Sequence, residues 1–160
     1  MSDPGHGLPI DALDTVCKAY KDCVKCAKME YGDMCIGEFI QYRFGYAQGD
    51  ITCRDKGNTC ERALCECDAQ FARDHVAKKD VFDPAFHLFW STNDGGEMWE
   101  PKGNCPRGAG GPYEPQCCTP NDGEGPAILF NAKNRHCCPD GRVVFNPVAC
   151  QQSPYAVGPN

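Results

Sequence analysis

Three observations predict a mainly α, disulfide-rich chain with two long helices and an irregular Cys-rich tail of short β strands. Two segments in the first half carry apolar residues at helical spacing. Fourteen cysteines are distributed over 160 residues. From about residue 92 the helical period disappears and Gly and Pro crowd together. Together these place regular structure first and cross-linked loops second.

The first helix is expected over residues 11–29, where Leu13, Val16, Cys17, Tyr20, Val24 and Ala27 form an i, i+3, i+4 stripe. Pro9 stands just before it and Asp11 is the N-cap candidate. A second helix fits residues 59–78, with Ala63, Leu64, Cys67, Phe71, Ala72 and Val76 on one side. Thr59 and Arg62 form no capping box, so the pattern defines this start less sharply. Between the helices, Gly49-Asp50 marks a turn before the strand-like Ile51-Thr52-Cys53. In the tail, Asp94-Gly95, Asp122-Gly123 and Asp140-Gly141 read as turns among Cys105, Cys117, Cys118, Cys137, Cys138 and Cys150. The aromatic stretch from Val81 to Trp90 joins the halves and is expected to pack the tail onto the helices.

Such cysteine density belongs to secreted domains whose apolar core is small. Zinc is the rival reading. Cys23-Val-Lys-Cys26 has zinc-like spacing, but no second CxxC or histidine pair completes a site, and His6, His75, His87 and His136 are scattered. No cofactor or metal is therefore expected. The chain opens on no signal peptide and holds no apolar run long enough to span a membrane. A processed product of a larger secreted protein is the expectation. A formal charge of −6 argues against nucleic acid or an anionic membrane as the main partner.

Two signatures resemble secreted phospholipase A2. One is Pro9-Ile-Asp-Ala-Leu-Asp14 running into Cys17 and Cys23; the other is the run from Cys53 to Cys60-Glu-Arg-Ala-Leu-Cys65-Glu-Cys67-Asp68. The resemblance covers roughly residues 5–78. It implies two long antiparallel helices with a small β-wing between them. It also implies the pairs Cys23–Cys67, Cys53–Cys65 and Cys35–Cys60, the first stabilising by about 4 kcal/mol and the second by about 3 kcal/mol if loop closure alone acts. At Val16 and Asp74, seven residues back from Cys23 and forward from Cys67, the family's usual bridge is absent on both sides.

In that family a histidine takes a proton from water and an aspartate holds calcium. Tyr20 and Lys21 occupy the matching positions. A phenol is neutral at pH 7 and an ammonium repels a cation. Of the glycine-rich calcium loop only Gly5-His-Gly-Leu-Pro9 remains. The expectation is that the chain is no enzyme. Tyr42 and Asp68 match the residues that orient the histidine, and they are expected to hydrogen-bond each other and the Tyr20 hydroxyl, leaving no buried polar group unsatisfied.

The tail, with Cys117-Cys118, Leu129-Phe-Asn131, Cys137-Cys138-Pro-Asp-Gly and Cys150, resembles galaxin-like modules of invertebrate extracellular matrix proteins. The order of modules is similar to that in mesoglein-like proteins. The expected division is residues 1–91, phospholipase A2-like without its N-terminal helix, and 92–160, galaxin-like. Cys17 and Cys26 remain outside the three implied pairs. Nine residues apart on one helix, they are separated by about 13.5 Å along its axis, beyond the roughly 7 Å between Cα atoms that a disulfide spans. They are expected to reach the tail, an upstream segment or another chain. These readings converge on an extracellular, secreted, non-enzymatic structural or interaction module whose partners are other extracellular chains, some disulfide-linked. The alternative is a lipid-binding or membrane-perturbing homologue, with lipid as the less favoured partner.

Overall fold

The computed structural model describes residues 9, 11–82 and 111–151. The remnant at Gly5–Leu8, the stretch from Asp83 to Trp90, Asp94-Gly95 and Cys105 lie outside the described residues.

Helix α1 spans Ala12–Tyr31 and α2 spans Cys60–Lys78. Asp11 caps α1, its side chain accepting from the Asp14 N–H at 2.7 Å, and satisfies a donor that the helix leaves open. Gly32, at φ 93°, ends α1 by donating its N–H to the Lys28 carbonyl at 2.9 Å. That backbone conformation favours glycine. Thr59 caps α2 through its hydroxyl, which accepts from the Arg62 N–H at 3.3 Å. A threonine alone therefore suffices where the capping-box pattern is missing. A short 3₁₀ turn, Lys79–Val81, follows α2.

The helices pack on one another with Ala27 of α1 beside Leu64 of α2; Val16, Cys23 and Cys67 are also buried, and Ala69 is buried with Cys53 and Cys65 on the wing side of α2. Cys23–Cys67 joins them with a Cα separation of 5.7 Å. Cys35–Cys60 ties the segment after α1 to the first turn of α2. Tyr31, Ile40, Tyr42 and Ala63 close around the buried Ala27, Cys35 and Leu64.

The wing is an antiparallel hairpin of β1 (Phe44–Ala47) and β2 (Asp50–Cys53), in the register Phe44↔Cys53 and Ala47↔Asp50. Its turn falls at Gln48-Gly49, one residue earlier than Gly49-Asp50. Both residues have positive φ, 54° and 83°, as a two-residue turn matching the strand twist requires. Cys53–Cys65 pins β2 to α2. Arg73 reinforces the contact by donating to the Asp50 carboxylate at 2.7 Å and the Ile51 carbonyl at 2.6 Å.

The tail forms two small antiparallel ribbons. One pairs β3 (Pro115–Cys118) with β4 (Ile128–Asn131), and the other pairs β5 (His136–Cys137) with β6 (Val143–Val144). A 3₁₀ turn, Pro147–Gln151, completes the described chain. Cys118–Cys137 and Cys138–Cys150 cross-link the ribbons, and Cys118, Cys138 and Phe130 are their buried apolar residues. The two Asp-Gly pairs among the described residues, Asp122-Gly123 and Asp140-Gly141, form turns with Gly123 at φ 68° and Gly141 at φ 83°.

The tail lies against the helices. Strand β4 packs on α1, and Cys26 is bonded to Cys117. The loop carrying Gly123 sits on Gly57 and Asn58 so closely that a Cβ on Gly57 would overlap the Asp122 carbonyl oxygen. Arg62 spans this seam, 2.6 Å from Glu66 on its own helix and 3.5 Å from Glu124 of the tail.

Candidate active site

The Cys23–Cys67 bond fixes the register of the two helices and so sets Tyr20, one turn earlier on α1, against Asp68, the next residue on α2. Tyr42 enters from the segment before β1. It is held there by Arg43, whose backbone N–H and Nε donate to the two Asp55 carboxylate oxygens at 2.6 and 2.8 Å. The Tyr42 hydroxyl donates to Asp68 Oδ2 at 2.5 Å. The Tyr20 hydroxyl bonds the same carboxylate. All three side chains are half-buried.

Two phenols thus converge on one carboxylate. Burial pushes the Tyr20 phenol up to about 12, with the hydrogen bond to Asp68 and the negative charge of Asp68 acting in the same direction. Burial, followed by the bond to Asp68 and its charge, raises Tyr42 as well. Both are therefore neutral donors at pH 7, with the Asp68 carboxylate as their shared hydrogen-bond acceptor. The Tyr20 ring leans on Phe71 at 4.8 Å, and Phe71 touches His75 at 5.4 Å. Phe71 was visible only as part of an apolar stripe; its place three residues after Asp68, on the same helix face, was the available signal.

Lys21 is one residue further along α1 and exposed. A step of roughly 100° around the helix turns it away from Asp68. It borders a shallow depression with Val24, Lys25, Lys28, Met29 and Asp33. Calcium requires several oxygen ligands, and the described residues assemble no group of three His, Cys, Asp or Glu able to hold a metal ion. Cys23 and Cys26 are both in disulfides and supply no thiolate to zinc.

Cys26 is thus not an interchain cysteine but is closed onto the tail. Cys17 is half-buried and has no disulfide partner among the described residues. Burial pushes its thiol up, Asp14 adds to the shift, and Lys21 opposes it.

Residues 3–81 match the phospholipase A2 family. The chain is 33% identical over 86 residues to the Group IID secretory phospholipase A2 of Homo sapiens, covering 54% of this chain and 57% of that protein. It is 33% identical over 87 residues to the membrane-associated phospholipase A2 of Cavia porcellus, covering 54% and 58%. With the acidic phospholipase A2 of Micrurus dumerilii it shares 34% over 64 residues, covering 40% and 53%. The chain spans a little over half the length of each relative. It carries a phospholipase A2-like domain on a mainly helical, disulfide-rich fold, and it is an extracellular, secreted protein.

This similarity corrects one expectation. The replacement at Tyr20 and Lys21 suggested a chain that is no enzyme, whereas the relatives are named as phospholipases A2 and point to a phospholipase A2 enzyme. No described helix is long and apolar enough to cross a membrane.

Proposed function

We propose that the chain acts on phospholipid from the extracellular side, as the phospholipase A2-like part of a secreted protein. The observation that carries this reading is the Tyr20–Asp68–Tyr42 cluster, held between two cross-linked helices in the segment that matches the family. Asp68 and its two phenols form the polar floor of the site, and Phe71 supplies an apolar wall beside it. The domain comprises residues 1–91, followed by a galaxin-like tail over 92–160.

The test separates binding from turnover. The full chain is mixed with phosphatidylcholine and phosphatidylglycerol vesicles, with and without calcium; co-sedimentation and released fatty acid are measured independently. Co-sedimentation is expected, and its loss in Asp68→Asn would tie it to this site. A chain that neither sediments with any vesicle nor releases fatty acid would remove the proposal.

The Cys26–Cys117 bond favours a second role alongside the first, as an interaction module of an extracellular matrix or secreted assembly. The tail is fixed to the helical part by a covalent bond, which suits a rigid block contacting other extracellular chains, with Cys17 as the thiol for a disulfide-linked partner. A non-reducing gel that shows only the monomer, with no partner recovered from the secreted medium, would remove this role.

A further inference from the structure

The last turn of α2 leaves the packed part of the molecule. The buried residues of the helix stop at Ala69, and from His75 through the 3₁₀ turn to Phe82 every residue is exposed, Val76 among them at 66%. Within this stretch stand Lys78 and Lys79, the one place in the sequence where two Lys or Arg residues adjoin. The Lys79 N–H donates to the Val76 carbonyl, and the Phe82 N–H donates to the Lys79 carbonyl at 3.2 Å. These bonds are local, and no side chain of the 3₁₀ turn is buried. Opening the turn therefore breaks exposed hydrogen bonds and leaves the seam between the helices intact. Five of the six disulfides lie wholly on one side of this point: Cys23–Cys67, Cys35–Cys60 and Cys53–Cys65 before it, Cys118–Cys137 and Cys138–Cys150 after it. Among the described residues Cys26–Cys117 alone spans it. The packing of β4 on α1 and the Arg62–Glu124 pair also join residues from opposite sides.

We propose that Lys78-Lys79 is a proteolytic processing site, where an extracellular endoprotease that reads paired basic side chains hydrolyses the Lys79–Asp80 peptide bond. The product is a two-chain molecule held together by Cys26–Cys117. Water supplies the oxygen that leaves a carboxylate on Lys79 and the proton that leaves an amine on Asp80. Two adjacent ammonium groups suit the carboxylates of such a protease as charge-assisted partners, and the opened turn supplies the extended backbone that a cleft binds as an added strand. The cut opens the loop closed by Cys26–Cys117, whose ends are 91 residues apart, and leaves the other five described loops closed. Both parts therefore keep their folds and their contact. What changes is the meaning of reduction: in the uncut chain it leaves one polypeptide, and in the cut one it releases the tail. The inference does not depend on the phospholipid reading, because it uses neither Asp68 nor either tyrosine.

The experiment digests the folded full chain with a subtilisin-type endoprotease specific for paired basic residues. Products are read by mass and on gels with and without reductant. One species is expected without reductant and two with it, with new ends at Lys79 and Asp80 and the Cys26–Cys117 bridge present in the cut product. Lys78→Gln/Lys79→Gln is expected to slow the cut roughly a hundredfold, since it removes two charge-assisted contacts to the protease. Lys25→Gln/Lys56→Gln makes the same charge change at exposed lysines elsewhere and should leave the rate unchanged. Amide exchange in α1 and β4 of the unaltered chain is expected to be as slow after the cut as before it. A folded chain left intact, a first cut at another site, fragments that separate without reductant, or equal slowing in both variants would each overturn the proposal.

Discussion

Residues 11–82 and residues 111–151 are both cross-linked, but the cross-links do different work. In the helical part, three disulfides lie within a seam that side-chain periodicity already builds. Val16, Ala27, Leu64 and Ala69 are buried beside Cys23, Cys35, Cys65 and Cys67. In the tail, each ribbon has two short strands, and the buried apolar residues are Cys118, Cys138 and Phe130. A two-stranded ribbon without a packed face is marginal in water. There the disulfides substitute for a core; among the helices they supplement one. Cys26–Cys117 links the two regimes.

The largest expected effects come from removing one bridge of each kind. Cys23→Ala/Cys67→Ala opens a loop of 44 residues, and constraint of the unfolded chain predicts a loss of about 4 kcal/mol. Cys138→Ala/Cys150→Ala opens a loop of 12 residues and predicts about 3 kcal/mol by the same reasoning. The comparison is sharpened by amide hydrogen exchange. The first variant should retain slow exchange in α1 and α2 at reduced global stability, while the second should lose protection throughout β5 and β6. Equal retention of local protection in both would show that the tail holds a core of its own and would break the contrast.

Much of this division was legible in the residues. Both helices show in the three-and-four spacing of their apolar positions, and the break near residue 92 shows in Gly, Pro and Asp-Gly content. The polar turn of the wing was displaced by one residue, because the hairpin twist selects Gln48-Gly49 whereas composition points to Gly49-Asp50. The bond from Cys26 to Cys117 spans 91 residues, and no local pattern encodes a contact set by how β4 lies on α1. Arg62 was equally hidden. It reads as one helix arginine among others, yet it is buried between Glu66 and Glu124. The identities of Tyr20 and Lys21 alone do not decide activity, since the similarity to phospholipases A2 extends over the whole of residues 3–81.

Arg62 probes the seam itself. Arg62→Met is expected to cost about 3 kcal/mol in urea unfolding, because it leaves the buried Glu66 carboxylate without its partner. Glu124→Gln, at a side chain 59% exposed, should cost less than about 1 kcal/mol. The asymmetry would place the strength of this network inside α2 and leave the tail contact as an orienting one. Matching losses would instead make the seam a major source of stability and merge the two regions energetically.

A further effect lies wholly inside the helical part and is read by pH. Tyr20 titrates near 10 when unfolded and is pushed up to about 12 in the fold. The folded chain therefore holds this proton in a range where the unfolded chain releases it. The stability carried by the neutral phenol is complete below pH 10 and declines as pH rises toward 12, since each further step favours the deprotonated, unfolded chain. Tyr42 shifts in the same direction for the same causes and adds to the decline. Tyr42→Phe removes the hydroxyl that donates to Asp68 and should cost about 1–2 kcal/mol at neutral pH. It should also flatten the alkaline fall in melting temperature, while phenolate absorbance reports one late-titrating tyrosine fewer. Tyr20→Phe keeps the ring against Phe71 and should flatten the same fall. If neither variant changes the alkaline slope, the paired phenols do not share Asp68 in solution, and the cluster that anchors the proposed site is not formed as described.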